Sequence, residues 1–253
     1  MTTQLNVVNK HLNFPTVSLM EPASSRYIHI AAEVDSNPIP IFLWTSPHKR
    51  KLLKDCKKWC TQLKQELNLI SADVFKAVLR PPAGLGEFVE QRMDKVHIAR
   101  FDVSVLIEAE SDEVIQQVQR HPAYQEMEKA IKASASYTHI ITATNTRRIG
   151  PVDHSRQGVF LFNYFFADDT TQNLAVWNYT AGWFQSETGL DNSTVLLPNN
   201  ENGSKYNIIN HCRWDKMSDI LPSLLFKRTF HAYVLDNFIA NHVAPMAILY
   251  RLA

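Results

Sequence analysis

Few side chains in this 253-residue sequence are of a type and spacing that could do chemistry. The first is Asn163, the one carboxamide in the apolar run from Gly158 to Phe166, GVFLFNYFF. A buried carboxamide must have its hydrogen bonds met by the protein or by a ligand. As a functional group it would orient a substrate carbonyl or enolate and stabilise developing charge; as a structural one it would bond a neighbouring strand or a water. His211 and Arg213, two residues apart, share a face of any extended segment. There the imidazole can act as a base and the guanidinium as an anion clamp, unless that strand end is open to solvent. Arg100, Asp102 and Ser104 alternate in the same way and form a polar row, with His139 as a further member, that either pairs within itself or lines a pocket. Cys56 and Cys60, spaced i,i+4, share a helix face as metal ligands can, but no second Cys or His pair stands near them. Buried small hydrophobes are the expectation there, and no metal. The basic run from His48 to Lys58 is interrupted by Leu52, Leu53 and Asp55, which suits a solvated helix face better than a phosphate site.

These groups have to be positioned by regular elements. Strand-like runs cover Tyr27 to Val34 and Ile39 to Thr45, separated by the turn-forming Asp35, Ser36, Asn37 and Pro38. Ser46 followed by Pro47 predicts a helix start, and Leu52, Cys56, Trp59, Leu63 and Leu67 give it one apolar stripe. Ala72 to Leu79 reads as a strand, Ala83 to Asp94 as a loop with room for a short helix, and His97 to Ala109 as a half-buried strand of period two. A helix capped by Ser111 and bent at Pro122, then a strand from Tyr137 to Thr146, complete a strand-helix-strand-strand-helix-strand unit. The order repeats after a polar linker. It runs through a strand from Gly158 to Ala167 and a helix capped by Asp168 or Asp169 and ended by Gly189. Strands from Ser193 to Leu197 and Tyr206 to Trp214 flank a hairpin loop, Pro198 to Ser204. A last helix, capped by Ser218 with Pro222 in its first turn, ends at Pro245 before a strand from Met246 to Leu252.

Two such units predict an α+β fold in which two ferredoxin-like (βαββαβ) halves of one chain pack sheet to sheet as an intrachain α+β barrel, because each sheet has a bare face that must be covered. The expected division is an arm over residues 1–26, loosely held, halves at 27–146 and 158–253, and a linker at 147–157. The space between the sheets is the expected pocket. Twenty-six Lys and Arg against 25 Asp and Glu leave a formal charge of +1, which gives no global field for nucleic acid or a membrane surface, and neither is expected as a partner. Three cysteines do not make a disulfide framework and point to a reducing, cytoplasmic setting. The first 20 residues lack the form of a signal peptide, and the seven glycines form no nucleotide-binding loop.

The residues resemble the dimeric α+β barrel superfamily, with its antibiotic-biosynthesis monooxygenase-like and EthD-like domains, over most of Tyr27 to Ala253. The stretch from Val103 to Tyr124, VSVLIEAESDEVIQQVQRHPAY, looks like the third strand and second helix of these domains. Glu187-Thr188-Gly189-Leu190 and Arg213-Trp214-Asp215 match the monooxygenase-like pattern in the same order. The resemblance implies a cofactor-independent monooxygenase acting on a hydrophobic, aromatic small molecule between the sheets. Asn163 would polarise a carbonyl, His211 would accept a proton and the carbanion would react with oxygen, with Arg213 as anion clamp. Arg100, Asp102, Ser104, His139 and Trp214 would bind the substrate. The alternatives it leaves open are a barrel that binds a small molecule or haem without turnover, with His231 or His242 as the haem ligand, and a scaffold for protein interactions. Two tandem barrels could also pair as a homodimer. Phe160, Phe162, Phe165, Trp177 and Trp183 suit an aromatic pocket and equally a dense core.

Overall fold

The computed structural model describes residues 5–35, 39–42, 44–81, 86–200 and 203–253. The apolar run becomes strand β5 (Val159–Ala167 in a set of eight), and every one of its residues is buried. Alternation explains why. Phe160, Phe162, Tyr164 and Phe166 point into one apolar cluster, whereas Val159, Leu161 and Phe165 join a second cluster with Trp177, Trp183 and Phe238.

The other strands are β1 (Arg26–Glu33), β2 (Ser71–Leu79), β3 (Val103–Ala109), β4 (Tyr137–Gly150), β6 (Ser193–Pro198), β7 (Ile208–Trp214) and β8 (Val243–Leu252). They close into one antiparallel barrel in the order β1-β3-β2-β8-β5-β7-β6-β4. Within each half the order is that of a ferredoxin-like unit, β4-β1-β3-β2 and β8-β5-β7-β6. The halves join at both edges, β2 to β8 and β4 to β6, and both seams carry register shifts, at Ala77/Leu79 and at Asn145/Arg147 and Arg148/Gly150. Bulges at such seams bend the strands and re-aim side chains, here at the corners where two sheets become one barrel. Because the barrel closes within one chain, no second copy is needed to cover a sheet edge. Its centre is filled by Phe75, Phe101, Phe160, Phe162, Tyr164, Tyr206 and Tyr250.

Helices cover the outer faces. Helices α1 (Pro47–Leu67), α3 (Asp112–Arg120) and α4 (Pro122–Ser134) lie on the first sheet, and a short α2 (Gly86–Glu90) precedes β3. Ser46 caps α1 by accepting from the Lys49 N–H at 3.0 Å, with Pro47 in the first turn. On the second sheet, α5 (Thr170–Thr188) starts at Asp169 and stops at Gly189, whose φ of 66° is the left-handed conformation glycine adopts freely. The expected last helix is three pieces: α6 (Met217–Phe226), a π-helical segment (Phe230–Leu235) and α7 (Asp236–Ala240). Lys216, not Ser218, stands at the start of α6, so Pro222 lies inside the helix. No described helix is long and apolar enough to cross a membrane.

Other expectations are corrected. The strand expected from His97 begins only at Val103, because the preceding residues turn to place Asp102 against backbone donors. Of Ile39 to Thr45, the described residues make one isolated bridge, Ile41 to Leu79; residue 43 of that run, residues 36–38 of the expected turn, residue 82 and residues 83–85 of the expected loop lie outside the described residues, as do 201–202 of the hairpin loop. Strand β4 runs through Arg147 and Arg148 to Gly150, into the expected linker. Pro245 sits inside β8, pairing with Phe165 at a stretch where β8 has no bonds to β2, an edge that tolerates a missing donor.

The N-terminal arm is held tightly. The Asn241 carboxamide accepts from the Asn6 N–H and donates to the Asn6 carbonyl, both at 2.8 Å, and Asn237 accepts from the Val8 N–H at 3.0 Å. Four helical residues rise about 6 Å and two residues of extended chain span about 6.6 Å, so asparagines at i and i+4 meet residues j+2 and j of the arm running the other way. Further along, Gly182 of α5 admits the arm directly: a Cβ there would lie 1.8 Å from the Pro15 carbonyl oxygen. Gly182→Ala should therefore unseat the arm although alanine favours a helix by about 1 kcal/mol. Faster proteolysis and amide exchange within residues 5–20 are expected, and unchanged protection would refute this account.

Candidate functional site

The structure separates residues that adjacency in sequence had grouped. Asn163 does not face the space between the sheets. Its neighbours Phe162 and Tyr164 take the interior, and Asn163 points with Leu161 and Phe165 toward the helices. There its Oδ1 is buried with no hydrogen-bond partner among the described residues. It borders two small cavities, of ≈ 40 and ≈ 30 Å³, that share Leu161, Phe184, Trp214 and Phe238. The π-helical segment supplies Phe230, Val234 and Leu235 to the larger one. Trp214 borders the same two cavities as Asn163, with its indole N–H donating to the Thr188 hydroxyl at 3.1 Å. His211 cannot act with Asn163, because β7 places its side chain on the opposite, interior face, stacked on Phe162 with centroids 4.1 Å apart.

His211 instead belongs to a cluster at one mouth of the barrel that sequence spacing did not reveal. Its Nδ1 lies 3.0 Å from the Leu161 carbonyl oxygen, and its Nε2 lies 2.8 Å from Nε2 of His154, whose Nδ1 is 3.0 Å from the Asp73 carboxylate. A carbonyl can only accept, so Nδ1 of His211 carries a proton, and the two facing Nε2 atoms need one more proton between them. Asp73, His154 and His211 together therefore hold one shared proton and no net charge. Burial, followed by the neighbouring His154, pushes the His211 pKa well below its ordinary value. A cavity of ≈ 380 Å³ opens beside this cluster, roofed by Pro151 to Ser155. The residues that sequence reasoning missed, Asp73 and His154, stand on β2 and in the segment between β4 and β5. The available signal was a histidine in a turn-rich linker and a lone aspartate in an apolar strand.

Arg213 shares the interior face with His211, as spacing required, and its Nε is buried with no hydrogen-bond partner among the described residues. Its Nη2 donates to the Gln157 carbonyl at 2.8 Å and its Nη1 to Asp215 at 2.7 Å, tying the end of the linker down. The row on the first sheet comes apart. Arg100 is exposed; Asp102 is fully buried and accepts from the Val34 and Asp35 N–H groups and from Lys49 Nζ at 2.7 Å; Ser104 meets His29 Nε2 at 3.0 Å inside the barrel. His139 is at the other mouth, 3.1 Å from the Ser204 hydroxyl. His231 and His242 are exposed. A haem does not fit the residues present: the space over Asn163 is far below the roughly 300–1,000 Å³ of ordinary ligand pockets, and no histidine reaches it. Among the described residues no group of three or more His, Cys, Asp or Glu side chains is arranged to hold a metal ion, and Cys56, Cys60 and Cys212 are buried and free.

With this geometry in view, comparisons with known proteins give a consistent result. No protein-family model matches the chain, and no curated protein matches it in sequence. Solved structures share its fold. An anthrone oxidase-like protein superposes with a TM-score of 0.58 at 8% identity, over 90% of this chain and 91% of that one. A proposed monooxygenase from Fusobacterium nucleatum subsp. nucleatum gives 0.55 at 8% identity, over 91% and 93%. What the chain shares with these proteins is the fold, an α+β barrel, closed here within one chain.

Two measurements follow from these placements. Lys49 and Asp102 form an ion pair with almost no exposure, so Lys49→Met should leave a buried carboxylate uncompensated and cost about 3–5 kcal/mol in urea denaturation; a loss near zero would contradict the pairing. Inside the barrel, burial first and then a second histidine lower the pKa of His29 to about 3 and of His139 to about 4. The unfolded chain then binds these protons more readily than the folded one below pH ~6.5. Stability should fall as pH drops from about 6.5 toward 4, by up to ~1.4 kcal/mol per pH unit for each histidine, and His139→Gln should reduce that slope. A pH-independent Tm across this range would rule the assignment out.

Proposed function

We propose that the chain is an oxygenase-type enzyme for a hydrophobic, aromatic small molecule, with its site between the second sheet and its helices and not between the sheets. One observation carries this reading: Asn163 presents a buried oxygen with no partner among the described residues to an otherwise apolar cavity. A buried unmatched acceptor costs about 1–3 kcal/mol, a cost that a ligand hydroxyl would relieve. Rotated by half a turn, the same carboxamide would donate to a carbonyl or enolate oxygen. The adjacent π-helical segment supports the reading, since such segments occur often at functional sites.

The resting space is smaller than an aromatic ring system, so binding requires the cover formed by α6 and the π-helical segment to give way. Pro222 inside α6 and the exposed Phe226 at its end make this the less tightly bonded side of the cavity. No aspartate, glutamate, histidine, lysine or arginine is among the described residues that line the two cavities. A substrate oxidised here must therefore supply its own acidity, as an electron-rich phenol or anthrone-like compound does, and then reduce oxygen itself. The fold likeness to an anthrone oxidase-like protein points to the same class. The lack of a base on the walls equally favours a second role, binding of such a molecule without turnover.

Asn163→Leu keeps the branched shape of the side chain and removes the orphan acceptor. The variant should melt at or above the wild-type temperature while losing binding of an anthrone-type ligand by tenfold or more, a difference of about 1.4 kcal/mol. Equal binding in wild type and variant would sink the site. Oxygen consumption by the wild type with anthrone separates turnover from binding alone.

A further inference from the structure

We propose that the mouth of the barrel is a second binding site, for a small organic carboxylate, and that the anion binds together with the proton shared by His154 and His211. This site lies on the opposite face of the second sheet from Asn163 and does not depend on the oxygenase reading.

The ≈ 380 Å³ cavity lies within the usual range for small-ligand sites. Buried in its neighbourhood is an unmatched polar atom, the Ser71 hydroxyl oxygen, which has no hydrogen-bond partner among the described residues. The charges around it are unbalanced. Glu108 of β3 accepts from the Tyr27 hydroxyl of β1 at 2.9 Å, and Asp153 of the roof is held by Arg156 at 3.0 Å. Asp73 of β2 is offset by the proton shared between His154 of the roof and His211 of β7. Arg148 of β4 and Lys64 of α1 line the same space without an ion-pair partner among the described residues. Two free cations against one uncompensated carboxylate, Glu108, leave one positive charge in surplus. Arg148 is half-buried, which limits how well water alone can satisfy its guanidinium. A monoanion restores the balance, and a carboxylate matches the planar fork of arginine. Leu106 and Val152 offer an apolar wall to the rest of the ligand.

The shared proton sets the pH dependence. Once it is lost, Asp73, His154 and His211 carry one negative charge, which cancels the surplus. The two Nε2 lone pairs then face each other at 2.8 Å, and the roof loses its hold on the barrel. Anion affinity should therefore decrease as pH rises through loss of this proton, and binding should take up protons wherever the free cluster is partly deprotonated.

The test is calorimetry on the full chain with benzoate as probe and benzamide as its uncharged counterpart, at about pH 6 and about pH 8, in two buffers of different ionisation enthalpy. Benzoate should bind at least about tenfold more tightly than benzamide, and Arg148→Gln should reduce benzoate affinity about tenfold while leaving benzamide unchanged. His154→Gln should abolish both the pH dependence and the proton uptake. Lys64→Gln, at an exposed position, provides a charge deletion that folding tolerates and should weaken benzoate in the same direction. No benzoate binding at millimolar concentration, or equal affinity in both charge variants and wild type, overturns the site. Binding without proton uptake at either pH overturns the coupling.

Discussion

A four-stranded antiparallel sheet with helices on one face has a second face that must also leave water, and this single constraint organises the protein. Each half covers the other, and the strand edges join so that neither sheet keeps an open side except where β8 approaches Pro245. The result is two kinds of interior. Outside the barrel wall, each sheet packs on helices through aliphatic and tryptophan side chains; inside it, phenylalanine and tyrosine rings stack with histidines. Strands β5 and β7 take part in both, which is why every residue in them is buried.

The same constraint makes neighbours in sequence strangers in space. A pleated strand sends adjacent side chains to opposite faces, so Asn163 and Phe162 serve different interiors though they share a peptide bond. His211 follows Phe162 inward, while Asn210, paired with Asn163, turns toward the helices and accepts from Ser193 at 2.5 Å. A mechanism that joins Asn163 to His211 would need a proton to cross the sheet. The structure instead gives each a separate environment: apolar and without charged side chains around Asn163, and beside His211 an ionic cluster at the edge of a cavity.

Periodicity in the sequence was sufficient for the strand order, the two halves and their closure, because alternating or continuous apolar runs report how many faces are covered. It could not report which face. Asn163 reads identically whether it looks into the barrel or toward α5, and only the ring-bearing positions on either side decide. Caps with local chemistry were legible, as at Ser46, Asp169 and Gly189. The arm was not, since Asn6 and Val8 bond to Asn237 and Asn241 more than 200 positions away. Nor was the division of the last helix, where a π-helical segment lies over the cavity.

The polar row on the first sheet shows the limit most clearly. Arg100, Asp102 and Ser104 alternate perfectly, yet they divide among solvent, a buried ion pair and the barrel interior, because the strand begins only at Val103. Alternation fixes a face only while the backbone remains extended, and Asp102 is recruited out of the pattern by two backbone N–H groups and Lys49. A carboxylate with three donors is satisfied and has nothing left to offer a substrate. Among the buried polar atoms that remain unsatisfied within the described residues, two border cavities: the Asn163 oxygen beneath the helices, and the Ser71 hydroxyl at the mouth, where Arg148 has no ion-pair partner among the described residues. Chemistry in this barrel is therefore to be sought where packing leaves a polar atom over at the rim of a cavity, as at these two places.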